Sequence, residues 1–341
     1  MRRQLATGCR ALIGLGVFFI CAWTSAADAD KSQERAIIIQ LQWQPQAQFA
    51  GYMVAAEKGF YREAGLPNVK LRWWLEGESP FQLVADGKMD FCTGWLSQAI
   101  AKRAKGAPIV NIAQIMQRSA LMLVARQSSG IEKPQDMTDK RVGLWGVDFD
   151  IQPTAFFKKY EARPAIVMQS ASMVPFLRGA VDVASAMYYN EYHKLMEAGM
   201  RKEEIRAFFF SDYDMNFPED GIYCTESTRR DRPDVCSAVV SASIKGWAYA
   251  VSHESEALDI VMSLCNQAKM PTNRAHQRWM LRAMAELIQH RVGKESEQWG
   301  VLRREDYENV TKVLRQQQLI EKVPPFDEFY RPALNGRKTP P

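Results

Sequence analysis

Four groups of side chains carry the chemistry this sequence can offer. Trp43, Gln44 and Gln48 stand within LQWQPQAQFAGYMVAAEKGFYREAGL, residues 41–66, where an indole and several amides separate a strand-like run from an amphipathic helix. Trp95 and Ser97 follow the apolar run 89–93, Tyr189, Asn190 and Glu191 follow the run 182–187, and Asp148 lies in the loop 145–150. Indoles offer flat faces to a planar ring, while amides supply both donors and acceptors and a carboxylate accepts. Such a set suits stacking combined with edge recognition of a polar, planar ligand. Glu191 is the expected specificity anchor, because a carboxylate can accept from an amino group beside a ring nitrogen in a site closed to water. Two plainer readings stay open: the Trp43 segment as a packed surface loop, and Glu191 as a helix-start carboxylate favoured by the macrodipole.

The elements that must position these groups are legible as an alternation. Residues 37–41 are short and rich in β-branched side chains, as a buried strand should be, and Phe49, Tyr52, Met53, Ala56 and Phe60 recur at helical spacing before Lys58-Gly59 supplies a stop. Strands are expected over 69–75, 89–93, 110–116 and 121–125, then over 141–145, 165–169 and 182–187 after the turn 127–130. Helices are expected over 80–86, 96–104, 154–160, 173–178 and 191–198, which argues for parallel α/β units whose loops at the strand carboxyl ends bind ligands. Beyond Asp234 the chain reads as mostly helical, with Ala275, Trp279, Ala283, Met284, Leu287 and Ile288 on one face of a helix opened by Thr272. Asp86-Gly87-Lys88-Met89-Asp90-Phe91 and Arg178-Gly179-Ala180-Val181-Asp182-Val183 share one layout of helix end, glycine, aspartate and apolar strand, which suggests an internal duplication.

Composition bounds the rest. Arg2, Arg3 and Arg10, the apolar stretch 11–22 and Thr24-Ser25-Ala26-Ala27 read as an export signal, residues 1–27, cleaved near Ala26-Ala27 to leave a periplasmic protein. No later run approaches the roughly 18 apolar residues of a membrane helix. Of the formal charge of +5, three units belong to those arginines, so the remainder is nearly balanced and no nucleic-acid partner is implied. In an oxidising compartment Cys224 and Cys236 could join, the alternative being two buried thiols. There is no CxxC or HExxH, and His193, His253, His276 and His290 are scattered, so neither a metal nor a cofactor is expected.

LQWQPQAQFAGYMVAAEKGFYREAGL, DGKMDFCTGWLSQAIAKRAKGAP and GAVDVASAMYYNEYHKLMEAG resemble the NMT1/THI5-like (SsuA/THI5-like) family of periplasmic solute-binding proteins, over essentially all of residues 36–330. The resemblance implies an α/β, two-lobe periplasmic-binding-protein fold (type II) with two crossovers and a ligand cleft between the lobes. The first lobe is expected to comprise 36–123 with 224–330 and the second 124–223. The resemblance further implies a monomer that binds a small heterocycle, with thiamine pyrimidine precursors leading, and hands it to an inner-membrane ABC permease.

The same family holds an enzyme, the thiamine pyrimidine synthase, which resembles this chain at LQWQP and builds the pyrimidine from pyridoxal phosphate and histidine. Where the resemblance places the synthase's Schiff-base lysine and a histidine four residues later, this chain has Gly94 and Gln98. Its cysteine-rich segment is replaced by Asn216–Cys224, which holds a single cysteine. The synthase's glycine-rich phosphate loop corresponds to Trp145-Gly146-Val147-Asp148-Phe149-Asp150, whose two carboxylates would repel a phosphate. The expected ligand is therefore without phosphate. A sensory protein that signals to a membrane kinase is the further alternative, since it needs only the same ligand-driven closure.

Overall fold

The computed structural model describes residues 35–334, except for the side chains of Val147 and Asp148. The expected export signal lies outside the described residues. No helix among them is long and apolar enough to cross a membrane.

Among the described residues, ten strands form two five-stranded sheets. The first sheet contains β1 (Ile37–Gln40), β2 (Val69–Arg72), β3 (Phe91–Gly94) and β4 (Ile109–Gln114), and the second contains β5 (Leu121–Arg126), β6 (Arg141–Leu144), β7 (Ala165–Met168), β8 (Val183–Met187) and β9 (Ile205–Phe209). The last strand, β10 (Gly221–Thr225), returns to the first sheet. The orders are β2-β1-β3-β10-β4 and β7-β6-β8-β5-β9. In each, the leading strand pairs parallel with its two neighbours, and a strand arriving from the other lobe, β10 or β5, runs antiparallel beside the third. The two lobes therefore repeat one topology.

The duplicated motif has one job in both lobes. Gly87 and Gly179 each adopt φ of 71°, in the left-handed region that a glycine enters without a Cβ penalty. The aspartate that follows then accepts a hydrogen bond from the leading strand's backbone: Ile38 N to Asp90 Oδ2 and Arg141 N to Asp182 Oδ2, both at 2.9 Å. Each aspartate also donates its own N–H back, to Ile38 O and Arg141 O respectively. The parallel register between first and third strands is thus pinned at its start.

The chain passes between the sheets twice, through residues 115–120 and 210–220. The divisions expected at 123/124 and 223/224 fall inside β5 and β10, because the continuous apolar character of 109–116 and 121–125 hides where one sheet gives way to the other. A buried polar network fastens the two passages together. Asn216 Oδ1 accepts from Ser119 N at 2.8 Å and Asn216 Nδ2 donates to Gln117 O at 3.0 Å. The Glu219 carboxylate accepts from Ala120 N and the Ser119 hydroxyl, each at 3.0 Å. Satisfied buried networks of this kind fix a single geometry.

The helical remainder packs on the first lobe. The helix Pro233–Ser252 crosses Ala50–Glu57, with Trp247 fully buried against Tyr52. The helices Glu254–Gln267 and Arg274–Gln289 follow against the same side.

Candidate functional site

The loops after β1, β2 and β3 of the first sheet face those after β6, β7 and β8 of the second across a cleft of about 720 Å³. All six strands contribute their carboxyl ends, where open α/β sheets expose loop backbone and helix starts. Gln42, Trp43 and Gln48 come from the first loop, Trp74 from the second, and Trp95 and Gln98 from the third. Trp145, Phe149, Gln169, Tyr189, Asn190 and Glu191 answer from the other lobe.

Six of the residues expected in the site line the cleft: Trp43, Gln48, Trp95, Tyr189, Asn190 and Glu191. Trp43 is 39% exposed and stacks one face on Trp74, with centroids 4.8 Å apart and planes inclined by 16°, so its other face is free for a ring. Trp95 meets Phe149 edge to face at 4.9 Å, bridging the lobes. Gln44 is not among the lining residues, since its amide donates to Trp74 O at 2.7 Å and fastens the loop from behind. Ser97 is buried on the far side of the helix Leu96–Ala104, and its neighbour Gln98 takes the cleft position. The side chain of Asp148 lies outside the described residues, but Asp150 in the same turn accepts from Gly146 N at 2.9 Å. That backbone donor, which a phosphate-binding loop would aim at its anion, is occupied by a carboxylate from the chain itself.

Glu191 is buried at the start of the helix Glu191–Glu197, and burial raises its pKa. Its oxygens accept from Met187 N at 3.1 Å and Asn190 Nδ2 at 2.6 Å, with Lys194 Nζ 3.6 Å away. Two further buried carboxyls lie just behind the cleft. Burial pushes Asp220 up to about 7, and its oxygens accept from Gln42 and from Gln48, the latter at 3.0 Å. Burial likewise pushes Glu219 up to about 8.

Gln42 Oε1 and Trp145 Nε1 are buried, line the cleft and have no hydrogen-bond partner among the described residues. One is an acceptor and the other a donor, and a buried group left without a partner costs about 1–3 kcal/mol. Neither was expected from the sequence, because a glutamine two residues from Gln44 and a tryptophan in a glycine-aspartate loop carry no pattern of their own. Among the described residues that line the cleft, cationic side chains are limited to Lys194, with no arginine.

Cys224 and Cys236 meet as free, buried thiols. Their mutual hydrogen bond, and then burial, hold Cys224 far above the usual thiol range. Their closure to a disulfide remains a proposal. Protein recovered from an oxidising compartment should show two titratable thiols after unfolding without reductant, where a count of four would exclude the bond.

The scattered histidines are not all apart in space. His193 Nδ1 and His276 Nδ1 lie 2.9 Å from each other, and Glu197 Oε2 stands 3.9 and 3.5 Å from them. A helical i,i+4 step sets His193 beside Glu197, but nothing in the sequence announces that His276 joins them.

Known proteins resemble the chain along most of its length. A formylaminopyrimidine-binding protein of Halalkalibacterium halodurans is 24% identical over 75% of this chain and 79% of its own. A 4-amino-5-hydroxymethyl-2-methylpyrimidine phosphate synthase of Legionella pneumophila is 31% identical, but over only 35% of this chain and 37% of its own. In fold, the chain is similar to the periplasmic aliphatic sulphonate binding protein SsuA of Escherichia coli, with a TM-score of 0.64 and 13% identity over 89% of this chain and 94% of that one. The family described as NMT1/THI5 like matches residues 46–257, more than half of the sequence, and this two-lobed α/β chain is a member of it.

Proposed function

We propose that this protein is the periplasmic substrate-binding component of an ABC transporter. It captures a small planar heterocycle, a thiamine pyrimidine precursor such as hydroxymethylpyrimidine or its formylamino derivative, and as a monomer presents it to an inner-membrane permease. The observation that carries this reading is the make-up of the cleft. One free indole face at Trp43, an orphan donor at Trp145 and an orphan acceptor at Gln42 meet the buried carboxyl of Glu191, with Asp220 holding Gln42 from behind. An aminopyrimidine has a flat face, amino donors and ring-nitrogen acceptors to match them. Anions fit poorly, since the lining carboxyls Glu78 and Glu191 face a single lysine and Asp150 already holds the amide of Gly146. The formylaminopyrimidine-binding relative supports the same ligand class.

The synthase reading draws on the partial match to the Legionella pneumophila enzyme. The residues oppose it. A Cβ added at Gly94, where the resemblance puts the Schiff-base lysine, would lie 2.2 Å from the Phe81 ring, so the space for that side chain is already filled.

A thermal-shift screen tests the proposal with hydroxymethylpyrimidine, its formylamino and aminomethyl relatives, thiamine, riboflavin, pyridoxal phosphate and alkanesulfonates. A pyrimidine at 100 times its dissociation constant should stabilise the protein by about 2.7 kcal/mol. Stabilisation by pyridoxal phosphate alone would transfer the case to the synthase. Exchanging Glu191 for glutamine removes a charge-assisted hydrogen bond worth about 1.5–3 kcal/mol, so pyrimidine affinity should fall by one to two decades with the fold intact. Calorimetric titration of Glu191→Gln giving an unchanged affinity would remove Glu191 from the recognition set.

A further inference from the structure

We propose that His193, Glu197 and His276 form a binding site for a divalent transition-metal ion of the zinc class, beside the cleft and bridging its two lobes. One ligand atom from each side chain lies within 4.8 Å of the others. The triangle they make has sides of 2.9, 3.5 and 3.9 Å. A point equidistant from its corners lies about 2.0 Å from each, which is the Zn–N and Zn–O bond length. Two imidazoles and one carboxylate form a three-ligand set that leaves a fourth position open, and they suit zinc better than the hard oxygen-seeking cations.

The surrounding residues orient these ligands. His276 Nε2 lies 3.0 Å from Asn190 Oδ1, while Asn190 Nδ2 donates to Glu191 Oε1. With the amide so fixed, Nε2 of His276 must be the donor, which leaves its Nδ1 lone pair bare and turned towards His193. The proton shared by the two Nδ1 atoms therefore belongs to His193, and an entering metal displaces it to the other ring nitrogen or to solvent. Glu197 is held in the same manner, its Oε1 accepting from Asn273 Nδ2 at 2.9 Å while Oε2 faces the imidazoles. Ligating histidines and carboxylates characteristically carry such outer partners. His193 also stacks on Trp279, with centroids 5.0 Å apart and planes inclined by 15°, which fixes its ring plane.

The site joins elements that belong to different bodies of the fold. His193 and Glu197 stand on the helix that leaves β8 of the second sheet, whereas His276 stands on Arg274–Gln289, which packs against the helices of the first lobe. A bound metal is a cross-link across the cleft. Through the Asn190 amide it also stands two hydrogen bonds from Glu191.

The test uses the untagged protein, stripped with a chelator and titrated calorimetrically with zinc chloride, with cobalt(II) as a spectroscopic stand-in. One zinc per chain is expected, along with visible cobalt bands of a low-coordinate N/O site. Asn273→Asp, which keeps the cap on His276 N but cannot donate to Glu197, should weaken zinc binding by about 10–100-fold. His193→Ala and Glu197→Gln should each weaken it further and abolish the cobalt bands. Glu197 is partly exposed, so the glutamine variant remains informative if the histidine variant fails to fold. No zinc uptake by the parent protein, or undiminished uptake by folded Glu197→Gln, overturns the proposal whether or not a pyrimidine is the ligand.

Discussion

Between pH 6.5 and pH 8 the protein should lose about 2 kcal/mol of stability, a loss that the double variant Glu219→Gln/Asp220→Asn removes. Asp220 is pushed up to about 7 and Glu219 to about 8, in both cases chiefly by burial. In the unfolded chain both groups ionise near their ordinary values, so above pH 5 that chain holds fewer protons than the fold. Stability therefore declines as pH rises through this window and levels off above about 9, once the folded groups have ionised too. Buried Glu191 and Asp306, also raised by burial, act in the same direction. The histidines act in the opposite sense but at lower pH. His276, lowered to about 4 chiefly by burial, costs stability as pH falls through about 6.5, where the unfolded imidazole gains its proton, so it offsets part of the carboxyl effect at the acid end of the interval. Melting temperatures measured across the interval should fall for the parent protein relative to the double variant. Parallel curves for the two would show that these carboxyls are not held protonated.

Replacing Gly246 by alanine should cost at least about 3 kcal/mol, even though alanine is the better helix former by about 1 kcal/mol. The helices Ala50–Glu57 and Pro233–Ser252 cross where two glycines face each other. A Cβ at Gly246 would stand 2.0 Å from the Gly51 carbonyl oxygen and 2.8 Å from the Ala55 Cβ. The nearest obstacle is backbone, which cannot turn aside as a long side chain can, so one helix must move. That displacement would loosen Trp247 and Tyr52, both buried at the same crossing. Chemical denaturation of Gly246→Ala beside Ser241→Ala, an exposed position on the same helix expected to stay within about 0.5 kcal/mol, provides the comparison. Equal midpoints for the two would contradict the close crossing.

Sequence periodicity anticipated the elements better than their arrangement. The helix expected over 96–104 is Leu96–Ala104, and the strands over 121–125 and 165–169 are within a residue of Leu121–Arg126 and Ala165–Met168. Local apolar rhythm determines these, and the α/β alternation with the duplicated Gly-Asp motif foretold two alike lobes. Strand β9, with Phe208 and Phe209 at its end, lies outside the expected alternation, because an antiparallel edge strand has no helix to announce it. In the site, residues that follow strands directly, such as Trp95 and Tyr189, could be placed from that rule. Trp74, Gln42 and Trp145 could not, since they depend on which loops meet across the cleft. His276 was equally hidden: it is significant for what the helix after β8 brings beside it, and that is a long-range property.

The placement of β10 also sets an order of assembly. This strand is inserted between β3 and β4, although all of the second sheet precedes it along the chain. A chain made from its amino end thus holds β3 and β4 with facing edges unpaired until Gly221 arrives, while β5 to β9 can close as a contiguous block. The second sheet can be completed while the first still waits, with two open strand edges of the kind that invite wrong pairing, for the late strand to close it.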